Sequence, residues 1–447
     1  MFSKLEKTRL GPWTSMAMAA LLAPSANGYD LISNEQSHLS LDLEVGLGYF
    51  HSQENYNSAG TRSEGSSSWQ DGYFKYGFSG NQQVSNAGDR VYGGLNWLSS
   101  GTFEDGDASG FSDGSERTTK IEDAYLGWRS GSLFSQLGQD GVDVSFGRQK
   151  ITIGDGFLIS SDGLNIGRGV AGNHLNRGGT YYLASRKAFD QTAVLRLGGA
   201  DGLRSDLIWL KSDNRAQGEA EMLVGTLENV TEKGTVGLTY VDVVDTNPMW
   251  DVIGRDGTKA ASLRGQGNAG VQDLSLSGEY VWQDRPSGEE NAWYAEAGWT
   301  FSQLPLSPNL FYRYSRFSNG YDPMFYGNDV RGLGAWFQGE VAGNYAGPFN
   351  TNLKVDNVGL RFYPREDLSF GALLYKFRTL DRSTSTGFVN GDAKELDFYA
   401  QWAVTENIFL VPLVGFYKPE ADADHGGSQI GDNGTNVYGE FLVFMNF

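Results

Sequence analysis

The segment "VYGEFLVFMNF", Val437 to Phe447, alternates with period two. Val437, Gly439, Phe441, Val443, Met445 and Phe447 share one face, and Tyr438, Glu440, Leu442, Phe444 and Asn446 share the other. Successive side chains leave an extended backbone on opposite sides, so this periodicity is that of a β-strand. One such strand fits many folds. A chain that repeats it throughout has very few folds open to it.

The repetition is present. "LSLDLEVGLGY" opposes Leu39, Leu41, Leu43, Val45, Leu47 and Tyr49 to Ser40, Asp42, Glu44, Gly46 and Gly48. "LSLSGEYVWQ" opposes Leu274, Leu276, Tyr280 and Trp282 to Ser275, Ser277, Glu279 and Gln283. "DNVGLRFYP" opposes Val358, Leu360 and Phe362 to Asn357, Gly359 and Arg361 before Pro364. Similar segments begin near Trp69, Arg90, Thr118, Gly141, Ala188, Leu203, Glu219, Gly234, Thr258, Asn291, Pro308, Leu368, Lys394, Ile408 and Gly434. The total is about eighteen strands of roughly ten residues, the length that crosses a bilayer when tilted.

Connector lengths alternate as well. Short ones at Gly199, Asn229, Pro364 and Thr405 take turns with longer polar ones, above all Thr152 to Lys187 and Ser318 to Phe349. The expected fold is all-β, a transmembrane antiparallel barrel of about eighteen strands with short periplasmic turns and long outer loops near residues 100–117, 152–187 and 318–349. The alternative is a soluble multi-sheet protein or solenoid, since one face of any sheet can be wet. Composition favours the barrel. There are 61 glycines and only 11 prolines, with 26 Phe, 22 Tyr and 11 Trp to populate turns and membrane interfaces. No run of about eighteen apolar residues offers a transmembrane helix.

At the N-terminus, Lys4, Lys7 and Arg9 precede an apolar run from Met16 to Leu22 and the small-x-small triplet Ala26, Asn27, Gly28. This reads as a signal peptide over residues 1–28, leaving the barrel to 29–447. Cysteine is absent, which removes disulfides and thiolate metal sites. A net charge of −19 weighs against nucleic acid as a partner. In a bilayer every backbone group must pair, so the last strand is expected to close on the first.

If the apolar face meets lipid, the other face lines a lumen. Parity places Arg129, Arg196, Arg204, Arg313 and Arg361 there, against Asp42, Glu44, Asp123, Asp206, Glu279, Glu296, Asp397 and Glu440. A lumen of mixed sign sets a transverse field that orients polar solutes, whereas a pore for polyanions should be overwhelmingly basic. The bland reading of each residue is a structural pair bracing the wall. Arg148 falls in register with Val142, Val144 and Phe146, so either it snorkels or Gly147 forms a bulge. The two longest loops are long enough to fold inward and set a constriction. They carry Asp155, Asp162, Arg168, His174, Arg177 and Arg186 in one and Asp322, Asp329, Arg331 and Glu340 in the other. An outer lid is the alternative.

"DGDASGFSDGSE" places oxygen donors at Asp105, Asp107, Ser109, Asp113 and Glu116, with Gly110 at the tight turn and the Phe111 carbonyl at the seventh position. That is the register of a calcium loop, although strands rather than helices flank it. Two readings stay open, a calcium site or an acidic solvated loop; no other cofactor is expected. "GRGVAG" at Gly167 lacks the strand-to-helix setting of a dinucleotide site. His38, His51, His174 and His425 have no metal-ligand spacing, and no serine or histidine sits in a nucleophile motif, so no enzyme is expected.

"VSFGRQKITIGDGFLI" (Val144 to Ile159), "KIEDAYLGW", the "YDPMFYGND" loop at Tyr321 and "NVGLRFYPREDLSFGALLYKF" together resemble the alginate-export type of outer-membrane porin. The resemblance implies a monomeric eighteen-stranded channel in the bacterial outer membrane, with an arginine-rich lumen for an anionic polysaccharide in the best-known member. Phe447 at the end of an alternating strand is similar to the C-terminal signature of bacterial outer-membrane proteins, and that resemblance implies that the barrel-assembly machinery reads it. The balanced or acidic lumen of this sequence departs from that pattern. The expectation is therefore a porin for small hydrophilic solutes, sugars or oligosaccharides among them. An alginate-like export channel and a surface-binding barrel with a closed pore are the alternatives.

Overall fold

The computed structural model describes residues 28–327, 339–383 and 389–447. Residues 1–27 of the expected signal peptide, and Asp329 and Arg331 of the second long loop, lie outside the described residues. Among the described residues there are nineteen strands. In chain order they are β1 (Tyr29–Ser33), β2 (Ser37–Ser52), β3 (Ser67–Gln83), β4 (Arg90–Glu104), β5 (Arg117–Arg129), β6 (Val142–Gln149), β7 (Phe189–Leu197), β8 (Gly202–Lys211), β9 (Glu221–Thr231) and β10 (Gly234–Asp245). Then come β11 (Lys259–Gly267), β12 (Leu274–Arg285), β13 (Gly288–Thr300), β14 (Asn309–Phe317), β15 (Leu353–Arg365), β16 (Leu368–Thr379), β17 (Ala393–Ala403), β18 (Ile408–Pro419) and β19 (Asn436–Asn446).

Strands β2 to β19 each pair antiparallel with the next, and β19 returns to β2 through Tyr438↔Ser52 to Asn446↔Glu44. The sheet is thus an eighteen-stranded closed barrel, and closure leaves no ladder edge to solvate. Strand β1 is an addition that alternation did not reveal. It pairs with β2 from Tyr29↔Leu41 to Ser33↔His38, continuing the line of β19 along the same neighbour. At one end the connectors are short, as at 198–201, 232–233, 366–367 and 404–407; at the other they include 53–66, 150–188, 246–258 and 318–352. The asymmetry has two exceptions: β12 and β13 are joined at the long-loop end by residues 286–287 alone, and β5 and β6 are joined at the short-turn end by the longer stretch 130–141. Strand β4 runs on to Glu104, so the loop expected from residue 100 begins at 105.

The faces follow parity. Leu126, Phe146, Leu203, Leu207, Val236, Leu263 and Phe398 are exposed around the outside, forming the apolar band that a lipid-facing barrel requires. Inside, the described parts of the two longest loops fold into the barrel and bury what the walls present. The 150–188 loop sends Phe157 against Tyr294 and Phe317, with centroids 5.3 and 5.9 Å away, and pairs Ile159 with Phe325 of the 318–352 loop in a parallel bridge. Burying such side chains contributes about 1.5–3 kcal/mol each. Tyr345 of the second loop packs on Trp69 of β3 and Tyr438 of β19, at 5.4 and 5.5 Å. The core of this molecule is therefore loop against inner wall.

Candidate functional site

Parity turns a run of arginines and carboxylates inward on β5 to β11. Arg129 Nε donates to Asp143 Oδ2 at 3.0 Å, and its guanidinium lies over the Tyr92 ring at 4.6 Å. Arg196 sits between Asp143 and Asp206, 3.9 Å from each. Arg204 and Arg264 both pair with Glu228. The result is a belt of alternating charge around the wall. Arg129, Arg196 and Arg204 keep 48, 40 and 42% of their side chains exposed, so the belt still presents donors to the lumen toward the short-turn end. Asp123 is held at 2.6 Å by Lys75 of β3, and a register shift at Glu122 lets Glu122 and Asp123 both face inward.

Arg148 is inward too. The ladder shifts between Gly147 and Gln149, and Gly147 takes φ 118°, so the bulge alternative holds. Its guanidinium bonds Asp190 at 2.7 Å and Asp213 at 2.9 Å. Arg177 and Arg186 of the 150–188 loop reach the same Asp213 at 3.3 and 3.4 Å, while Asp162 takes Arg177 at 2.8 Å. Burial works against ionising Asp213, but the three guanidiniums outweigh it and hold its carboxyl down at about 2. This cluster fastens the loop to the wall beside β6 and β8.

The remaining inward residues divide. Arg313 lies 3.5 Å from Glu296 on the neighbouring strand, and Arg361 Nε donates to the Tyr399 hydroxyl at 3.0 Å. Glu279 is buried under the 150–188 loop. Asp397 stands apart on β17, nine strands from β8 and thus across the barrel from the arginine belt. There it joins Glu395, Glu440 and the loop residue Glu340, all buried. Sequence parity identified the inward positions but not the partners. Lys75, Asp143, Glu228, Arg264 and Glu395 lie on the same alternating faces and were legible in principle. Arg177 and Arg186 sit in a loop, which has no period to read.

The acidic loop at 105–116 spends its oxygens on hydrogen bonds with its own backbone and with neighbouring segments. Asp107 accepts from the amides of Ser109, Phe111 and Ser112 and from the Ser112 hydroxyl. Glu116 accepts from the amides of Asp113, Gly114 and Arg168. Asp105 takes the Ser68 amide, Asp113 takes Ser115, the Ser109 hydroxyl donates to the Tyr345 carbonyl, and the Phe111 carbonyl accepts from Gly167. Among the described residues no three His, Cys, Asp or Glu converge as a metal-binding group would.

No family model matches the sequence, and no curated protein matches it. Solved structures do match in shape. OccK11 (OpdR) of Pseudomonas aeruginosa superposes with TM-score 0.54 at 12% identity, over 91% of this chain and 96% of that one. OpdQ of the same organism gives 0.53 at 12% identity, over 91% and 98%. A BenF-like porin from Pseudomonas fluorescens Pf-5 gives 0.56 at 8% identity, over 92% and 98%. At such identities the likeness establishes the fold, an eighteen-stranded barrel of the outer-membrane porin type.

Proposed function

We propose that this chain is a channel of the bacterial outer membrane that passes small hydrophilic solutes, and that it is not an enzyme. One observation carries the reading. A closed barrel with an apolar exterior holds, on its inner wall, a belt of paired arginines and carboxylates from which Arg129, Arg196 and Arg204 stay half-exposed. The porin-type neighbours in shape support it. Alternating charge along one wall of a confined lumen orients a dipolar or zwitterionic solute as it passes. Sugars and oligosaccharides remain the solutes in view, with the half-exposed Arg129, Arg196 and Arg204 as hydroxyl or carboxylate donors. Terminal Phe447 would be the residue met by the insertion machinery.

The test is reconstitution of the refolded chain in a planar bilayer, with conductance and reversal potential recorded across a salt gradient. Steady conductance with weak or cation selectivity supports a solute channel. Strong anion selectivity transfers the reading to polysaccharide export. A folded barrel with no conductance removes the channel and leaves a surface-binding role for the loops.

A further inference from the structure

Across the lumen from the arginine belt, hydrogen atoms are too few for the acceptors. The Tyr182 hydroxyl lies 2.9 Å from Oε2 of Glu340 and 2.9 Å from Oε1 of Glu440. It has one hydrogen to give. Oε2 of Glu440 takes the Tyr438 hydroxyl at 2.8 Å, and the Tyr345 hydroxyl sits 3.3 Å from that of Tyr438. Glu395 receives the amides of Val341 and Ala342 at 2.8 and 2.9 Å. Asp397, fully buried, has no hydrogen-bond partner for either carboxyl oxygen. Its cross-strand neighbour is Gly415, where a Cβ would come within 2.7 Å of Oδ1, so the wall is shaped to admit this carboxyl.

Among the described residues the surroundings supply no compensating cation. Tyr182 and Tyr345 face the group from the two loops, and Tyr375, Tyr417 and Tyr438 face it from β16, β18 and β19. Asp71 of β3 adds a further acid behind Tyr345, and Arg313 of β14 is met only beyond Tyr375. Among the described residues no lysine, arginine or histidine forms an ion pair with any of the four carboxylates. Four negative charges closed off together without counter-charge are far too costly to persist.

We propose that Glu340, Glu395, Asp397 and Glu440 share protons, and that this protonated group is a latch holding the loop segment 339–347 to the barrel wall. Protonated, Glu340 or Glu440 supplies the hydrogen that Tyr182 lacks, and Asp397 becomes a donor toward its strand neighbour Glu395. Ionised, the four repel one another, and the contacts of Val341, Ala342 and Tyr182 are lost. Burial, partly opposed by the Tyr182 hydrogen bond, lifts Glu340 from the ordinary 4.5 to about 7, with Glu395 adding to the rise. A carboxyl raised on folding stabilises the latched state fully below 4.5 and loses that contribution as pH climbs through about 7. The segment 339–347 therefore stays docked in acid and releases toward alkaline pH, widening the passage.

The experiment records bilayer conductance from pH 4 to pH 9 for the native chain, D397N and E340Q, alongside infrared difference spectra of the same samples. Neutral isosteres mimic the protonated group, so both variants are expected to fold and to hold the low conductance at every pH. The native chain should show a conductance step and, with it, loss of the carboxylic-acid C=O band, both absent or reduced in the variants. The conductance readout rests on the channel reading; the infrared readout does not. A chain that conducts nothing yet shows the titrating band loses the channel and keeps the latch. In a chain that conducts, a conductance independent of pH or a step unchanged in both variants would overturn the latch, and in any chain so would the lack of a protonated carboxyl band.

Discussion

Leu43 and Phe447 exchange two backbone hydrogen bonds, Leu43 N–H to the Phe447 carbonyl at 3.0 Å and Phe447 N–H to the Leu43 carbonyl at 2.8 Å. The last residue is thus a rung of the seam between β19 and β2, with its ring exposed on the outer face. Deleting Phe447 opens both bonds, each worth about 0.5–1.5 kcal/mol, whereas Phe447→Ala keeps them and removes only the ring. The deletion should lower the heat-unfolding midpoint, read as loss of the compact gel band, more than the substitution does. Equal losses would mean that the seam does not need this rung.

Arg255 and Asp322 form a bidentate pair at 2.6 and 2.7 Å with 2% and 0% of their side chains exposed. The pair ties the 318–352 loop to the 246–258 loop. Removing one partner strands a buried charge and should cost about 3–5 kcal/mol. D322A and R255A should each destabilise strongly, and the double variant should cost less than their sum. A double-mutant cycle on the unfolding midpoint measures this, and strict additivity would deny the coupling.

Gly147 holds the bulge that turns Arg148 inward. A Cβ there would lie 2.3 Å from the Ala124 carbonyl, and φ 118° disfavours any L side chain. Gly147→Ala should cost about 1–3 kcal/mol of strain and loosen the Arg148 bonds to Asp190 and Asp213. Protease sensitivity of the 150–188 loop should rise with it; an unchanged digestion pattern would place the bulge's role elsewhere.

Asp213 carries the opposite sign of pH dependence to the latch. A carboxyl lowered on folding gives stability that is present above its ordinary 3.8 and lost as pH falls through about 2. D213N should therefore unfold earlier than the native chain at neutral pH, and the gap should close in strong acid. A gap that persists at pH 2 would show that the three arginines do not draw on this charge.

The oxygens of the 105–116 loop are already engaged by amides and hydroxyls, so adding calcium or a chelator should leave the unfolding midpoint where it is. D107A, which strands three amides and a hydroxyl, should destabilise the fold by about 1–3 kcal/mol or more and lower the midpoint in either condition. A midpoint that rises with calcium would make the loop a cation site.

The barrel was legible in the residues alone, because period two is a property of the local backbone. Each of the eighteen alternating segments lies on one strand of the barrel, and parity put Arg129, Arg204, Glu279 and Asp397 on the inner wall. It could not resolve Arg148, where a single bulge at Gly147 breaks the count, nor see β1, whose five residues are too few to alternate convincingly. Only the tertiary structure decided what the inner wall meets. Tyr182 reaches Glu440 across 258 positions of chain, and Arg177 finds Asp213 from a loop with no repeat to read. Such contacts depend on where closure of the sheet brings distant segments. That is set by register and loop packing summed over the whole barrel, and no local stretch of residues encodes it.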